Sequence, residues 1–260
     1  MFFAALQSRN VIIPEFISEW KTDNLSTGSS TDTQVKLPLV SGGTYNFFVD
    51  WGDGSSDTIT TWDQAETTHT YATAGTYTVR IAGTCYGWQF VNAGDKLKIL
   101  DISQWGVRFR LGNTGTYFYG CANLVVTATD ALDLTGTTDF SFGFLQCTAF
   151  NGDVSLWNTI GVTTFSGGFN ACTAFQGNGL DQFDVRGCNA STGLNNICVG
   201  CTLSTANYDS LLIAWNANKA SYRTDLTPNF GSSKYSAGDA ATARAALVTY
   251  GWTITDGGQV

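Results

Sequence analysis

Between residues 118 and 203 the chain repeats one short phrase four times. The copies are Phe118-Tyr-Gly-Cys121-Ala-Asn-Leu124, Phe144-Leu-Gln-Cys147-Thr-Ala-Phe150, Phe169-Asn-Ala-Cys172-Thr-Ala-Phe175 and Cys198-Val-Gly-Cys201-Thr-Leu203. The aligned cysteines lie 26, 25 and 29 residues apart. A period of that length marks a solenoid, whose units are each too small to bury an apolar face alone and bury it against their neighbours. Solenoids present surfaces, so the first expectation is a chain that binds or builds rather than catalyses.

The repeat also restricts what the cysteines do. There are seven, an odd number. Four fall on the repeat period, and a stack of equivalent positions offers no unique disulfide pairing. A reduced cysteine is a small, buried hydrophobe, so Cys121, Cys147, Cys172 and Cys201 are expected to be core rungs, together with Phe118, Phe144 and Phe169. Cys198-Val-Gly-Cys201 is the one C-x2-C pair and has no second pair to complete a zinc site.

Composition supports β-structure with tight turns. Charged residues make up 13% of the 260, hydrophobic residues 43%, and there are 29 Gly, 8 Trp and 17 Phe but only 3 Pro. Aromatic residues favour pleated surfaces and glycines favour turns, and this apolar content is too high for a disordered chain. The net charge of −8 disfavours nucleic acid as a partner, since phosphate binding needs clustered cations. Arg108/Arg110 and Lys96/Lys98 are the only close cationic pairs. No apolar run reaches the 18 residues of a membrane span, so membrane insertion is not expected. The N-terminus, Met1-Phe-Phe-Ala-Ala-Leu-Gln-Ser-Arg-Asn10, is apolar for six residues without a basic start, and does not read as a secretory signal.

Ahead of the repeats, residues 14–83 read as a small β-sandwich following an N-terminal arm at 1–13. Phe16–Thr22, Gln34–Val40, Thr44–Asp50 and Thr76–Ile81 alternate as strands between Gly- and Ser-rich turns. The phrases Val49-Asp-Trp-Gly-Asp-Gly-Ser55 and His69-Thr-Tyr71 followed by Gly75-Thr-Tyr-Thr-Val79 resemble the PKD domain, an immunoglobulin-like sandwich common in surface proteins. Residues 84–204 form the solenoid, with coil strands expected at Leu97–Gly106, Ala131–Gly136, Val154–Gly161 and Leu180–Gly187. An aromatic/Cys turn, a polar-apolar strand and then Thr/Ser-Phe-Ser, as at Thr164-Phe-Ser166, resemble the BspA-type leucine-rich repeats of bacterial surface proteins. The chain departs from them in Phe144-Leu145 and Phe169-Asn170, where Met is frequent in that family, and in its small number of repeats.

The period changes in residues 205–260, which resemble the cap that closes BspA-type repeats. Tyr208, Leu211, Leu212 and Trp215 fall at helical spacing, and Asp239 can cap a second helix over Ala240–Tyr250 that Gly251 ends. Gly251–Gly258 reads as a closing strand and turn. A cap is physically required, since an open solenoid end exposes apolar surface and unpaired strand edges. The fold class expected is therefore mainly β: a PKD-type immunoglobulin-like sandwich, a short leucine-rich-repeat-like solenoid and a small helical C-terminal cap.

Catalytic candidates are sparse. His69 is the single histidine, so any Ser-His-Asp or Cys-His device must use it. Asp50/Asp53/Asp57 and Asp130/Asp133/Asp139 are the dense carboxylate groups, and they read as turn formers. The turn at Asp50–Asp57 has the oxygens for calcium but not an EF-hand spacing. No catalytic residue, metal or cofactor is assigned. What remains is recognition, for which Trp62, Tyr86, Trp88, Tyr117 and Tyr119 near the sandwich–solenoid junction are the candidate aromatics for stacking on sugar or burying at a protein interface. Two settings fit such a non-enzymatic protein. One is a phage virion, as a decoration, tail or fibre component that contacts other virion proteins or a host-surface protein or glycan. The other is a bacterial cell-surface adhesin. Self-association into a homo-oligomer is compatible with both.

Overall fold

Alternation builds the first half of the molecule. A computed structural model describes residues 13–260; the arm expected over 1–13 lies outside the described residues except for Ile13. Strand β1 (Phe16–Lys21) turns Phe16, Ser18 and Trp20 inward, as a period of two requires. Strands β2 (Gln34–Lys36), β3 (Leu39–Asp50), β4 (Ser56–Ile59), β5 (Thr68–Thr70) and β6 (Thr76–Trp88) follow. Next come β7 (Ile99–Gln104), β8 (Phe109–Arg110) and β9 (Val125–Val126). Seven of them form one sheet in the order β4-β3-β6-β1-β7-β9, with β8 beside β6, while β2 and β5 pair as a separate ribbon. The β2–β5 ribbon is small beside the main sheet, and that sheet runs on past residue 83, because β6 spans that position and β1 pairs with β7.

Strand direction changes where the repeat begins. Pairs β1–β6, β1–β7, β3–β4 and β3–β6 are antiparallel, whereas β7–β9 and β6–β8 are parallel. Parallel neighbours need a crossover of a dozen or more residues. The pairing Asp101↔Val125 supplies one that is a single repeat long.

Beyond β9 the chain stacks turn upon turn without forming further strands. Phe140, Phe142, Phe144 and Gln146 donate their backbone N–H groups to Thr164, Ser166, Gly168 and Asn170 in the next turn, and Phe165, Gly167, Phe169 and Ala171 donate to Gly193, Asn195, Ile197 and Val199. Of the N–H groups between them, Gly143, Leu145 and Cys147 bond three residues back, to Phe140, Phe142 and Phe144. Alternate donors therefore go along the stack and the others close local turns, which satisfies the buried backbone without extending it. The geometry needs left-handed residues: Asn92, Gly120, Gln146, Ala171 and Gly200 all have positive φ at the same place in successive turns.

This corrects the strand expectation for Ala131–Gly136, Val154–Gly161 and Leu180–Gly187. These segments are turns, with a 3-10 helix at Leu180–Gln182. In each, an Asx side chain captures the N–H two residues on: Asp133 from Thr135, Asp153 from Ser155, Asn158 from Ile160 and Asp184 from Arg186. That bond takes the donor a strand ladder would use. The expected closing strand at Gly251–Gly258 is likewise reduced to isolated parallel bridges, Asn229↔Thr255 and Tyr235↔Gln259.

Two helices pack at the end. Helix α1 (Thr205–Asn218) buries Tyr208, Leu211, Leu212 and Trp215, and the Ser204 side chain caps it by accepting from the Asn207 N–H. Helix α2 (Asp239–Tyr250) ends at Gly251, whose N–H bonds Leu247 and Val248 from a left-handed conformation.

One core runs through sheet and stack. Phe16 stacks on Phe109 at 4.0 Å and meets Trp88 at 5.5 Å, and Trp20 meets Phe90 at 6.1 Å. Phe90 then leads to Phe118 at 6.2 Å, Phe144 at 4.9 Å and Phe169 at 5.9 Å in an unbroken aromatic column. At the junction the Lys98 ammonium, 0% exposed, donates to the carbonyls of Ser30, Thr31 and Gln34 and to the Ser30 hydroxyl. Asp95, 3.5 Å from it, accepts from the Ser30 and Lys36 N–H groups. Burial pushes the Lys98 pKa down, and the Asp95 carboxylate opposes that push. Removing one member of such a pair leaves a buried charge uncompensated, so Asp95→Ala is expected to lose about 3–5 kcal/mol in a denaturant titration.

Candidate functional site

The five junction aromatics do not form one surface. Trp88 and Tyr117 are core residues, which removes them from the candidate binding set. Trp88 is the inward end of β6, packed among Phe16, Trp20, Phe90 and Phe109. Tyr117 is buried with its hydroxyl directed at the carbonyls of Gly112 and Asp139. Tyr86 is half-buried beneath the Arg110 guanidinium, 4.6 Å from its ring centroid, and Arg110 is in turn paired with Asp133 at 2.7 Å. Tyr119 is half-buried, and Trp62 is 45% exposed. Among the described residues no ring contact joins Trp62, Tyr86 and Tyr119.

The repeat residues sit as rungs. Phe118, Phe144, Phe169, Cys121, Cys147, Cys172 and Cys201 are fully buried, and all seven cysteines are free thiols. Each thiol of Cys147, Cys172 and Cys201 donates to the carbonyl of the Phe in the turn before it: Phe118 at 3.0 Å, Phe144 at 2.9 Å and Phe169 at 3.0 Å. Burial pushes Cys121, Cys147 and Cys172 well above the usual thiol range, and Cys188 up to about 12.

The ladder extends beyond the four legible copies. Phe90, Phe118, Phe144, Phe169 and Cys198 each donate N–H to the residue just before the next rung, and Phe230, the last rung, donates to Thr255. Three residues after each rung come Ala93, Cys121, Cys147, Cys172, Cys201 and Ser233. Ser233 is buried, donates its hydroxyl to Phe230 and accepts from the Leu203 N–H. The two end copies were hidden because Ala93 and Ser233 replace the cysteine; a Phe followed three residues on by any small side chain is the signal that finds them.

His69 gathers the groups of a nucleophilic device without its geometry. Its Nε2 lies 2.8 Å from Asp53 Oδ2 and 3.3 Å from Ser55 Oγ, and Ser55 also donates to Asp53. A relay needs the carboxylate on one ring nitrogen and the nucleophile on the other. Here both face the same nitrogen, while the ring stacks on Trp51 at 4.9 Å and meets Tyr71 edge-on. The neighbouring carboxylates are also occupied: Asp50 accepts from the Gly52 N–H and Asp57 from the Trp51 indole. Among the described residues no three His, Cys, Asp or Glu side chains converge as a metal site, and no helix is long and apolar enough to cross a membrane.

A cavity of about 260 Å3 opens between the 181–186 turn and the corner that ends α1. Phe183 is fixed at its base, its carbonyl accepting from the Trp215 indole at 3.1 Å. Asp184 is bound by Arg186 at 2.8 Å, and Gln182 donates to Asp181 Oδ2 at 2.7 Å. Across from them, Asn218 donates one of its two side-chain amide N–H groups to the Ala214 carbonyl, and Ser221 donates to the Asn218 backbone carbonyl. Tyr222, 8% exposed, lies flat against Trp252 at 6.1 Å. Its pKa is pushed up to about 12 by burial first and by the Asp184 charge second, so the phenol keeps its proton. Sequence reasoning missed this site because its two walls come from separate segments.

Two measurements probe these groups. The buried thiols are expected to stay unlabelled by a disulfide reagent in native buffer and to react fully in guanidinium chloride, and a reductant should leave the melting temperature unchanged. For Asp53, burial pushes the carboxyl up, but hydrogen bonds from Ser55 and His69 outweigh it and hold the group at about 2, below its ordinary 3.8. A depressed folded pKa stabilises above the unfolded value and is lost as pH falls through the folded one. Stability is therefore expected to drop between about pH 4 and pH 2, and less steeply in Asp53→Asn, when followed by denaturant titration across that range.

No curated protein and no solved structure matches the chain. A family model does match, over residues 88–221, just over half the sequence. It begins at Trp88, two residues before the first rung, and takes in five of the six rungs together with α1. By that match the chain belongs to the family described as "Mycoplasma protein of unknown function, DUF285".

Proposed function

We propose that this chain is a non-enzymatic recognition protein displayed at a surface. In this reading the N-terminal half is a PKD-type immunoglobulin-like sandwich, and the stacked turns are a short BspA-type solenoid closed by the two helices. The observation that carries it is the use the molecule makes of its reactive groups. The thiols of Cys147, Cys172 and Cys201 are spent on backbone carbonyls, His69 is sandwiched between aromatic rings, and Asp50, Asp53, Asp133 and Asp184 hold their own turns. What such a fold offers a partner is shape and hydrogen bonding on its outer face.

Of the two settings, a bacterial cell surface and a phage virion, the family description favours the first, because it refers to a cellular organism. The partner is then a host-surface protein or glycan. Protease shaving of intact cells followed by mass spectrometry is expected to release peptides of this chain. Peptides confined to the lysed fraction would overturn the reading, and peptides in purified virions would move the protein to the particle. Turnover of a glycan that is lost in a single Asp→Asn variant would replace recognition by catalysis.

A further inference from the structure

We infer that the cavity between the 181–186 turn and the end of α1 is a binding site for one neutral pyranose unit of a glycan. The inference deepens the recognition reading and rests on it.

Size sets the first limit. About 260 Å3 falls below the roughly 300–1,000 Å3 of pockets that enclose drug-sized ligands, which leaves room for a single ring-sized group. The chemistry of the walls sets the second. Asp181, Asp184, Arg186, Asn218, Ser221 and Tyr222 all present polar atoms, so an apolar ligand would strand them without partners. Charge sets the third. Arg186 is already paired with Asp184, so the residual charge is that of Asp181, which repels phosphate, sulfate and carboxylate.

What is left matches a polyol. The free oxygen of Asp181 and the side-chain oxygen Oδ1 of Asn218 accept, while the Ser221 hydroxyl, committed as a donor to the Asn218 backbone carbonyl, keeps lone pairs to accept with. The Tyr222 hydroxyl is the decisive group. Its residue is more than nine-tenths buried, and among the described residues the hydroxyl has no hydrogen-bond partner. The ring is buried while the hydroxyl opens on the cavity, and a phenol that both donates and accepts is complementary to a ring hydroxyl, which does the same. The site is also preorganised: Trp252 backs the Tyr222 ring, the Tyr250 hydroxyl holds the Tyr222 carbonyl, and Trp215 fixes Phe183.

The test uses the full chain and three kinds of probe, followed by backbone amide NMR: neutral monosaccharides (glucose, galactose, mannose and N-acetylglucosamine), methylammonium and sulfate. At least one neutral sugar is expected to shift residues 181–186 and 218–222 with a dissociation constant on the order of millimolar. Tyr222→Phe and Asp181→Asn should each weaken it at least about fivefold at an unchanged melting temperature. Absence of shifts there with every neutral sugar at about 50 mM overturns the inference, as does a response to methylammonium or sulfate alone. Equal sugar affinity in both variants overturns it too. Cell-surface display that persists while no sugar binds sinks this inference and leaves the recognition reading standing.

Discussion

The stack depends on a division of labour among backbone N–H groups. Alternate donors reach the next turn, and donors between them close the turn they belong to. A sheet sends its donors sideways and a helix sends them along its own axis; here one segment does both in alternation. That division fixes the rest. It places a left-handed residue at a constant position, which glycine fills at Gly120 and Gly200 and which Gln146 and Ala171 occupy at some conformational cost. It brings equivalent side chains above one another, so the Phe rungs become a column and each thiol meets the carbonyl beneath it.

Much of this was legible from residue types. Buried positions recur with the period of the repeat, and Tyr208, Leu211, Leu212 and Trp215 announce α1 by their spacing. The strand expectation failed at Ala131–Gly136, Val154–Gly161 and Leu180–Gly187 because hydrophobic spacing reports which side chains are buried and is silent on where backbone donors go. The Asx residues in those segments were the relevant signal. The junction aromatics were harder to place. Trp88 and Tyr117 each sit in a run of several aromatics, where sequence does not say which rings turn inward, and β6 continuing to residue 88 and a hydroxyl reaching Asp139 from another turn make them core. The Cys198-Val-Gly-Cys201 motif also changes meaning, since Cys198 occupies the rung that Phe169 holds one turn earlier.

Low charge and a polar exterior follow from the same economy. Most of the carboxylates near the stack are committed to neighbouring N–H groups, as Asp130 is to Trp105 and Gly106. They act as parts of turns before they act as charges.

The continuity of the core between sheet and stack bears on how the chain acquires its structure. Arrays of repeats are commonly able to nucleate anywhere and to unravel from their ends. Here Phe90 joins the first rung to Trp20 and Trp88 of the sheet, and β7 pairs with β1 on one side and β9 on the other. The sheet is therefore a template with a defined starting edge, and the shared core couples the melting of the early turns to that of the sheet. A chain emerging from the ribosome N-terminus first would have strands β1–β8 of that template available before the first Phe–Cys turn, Phe118–Cys121, arrives, and each later turn would find a formed neighbour to dock on. The order of synthesis and the order of stacking coincide.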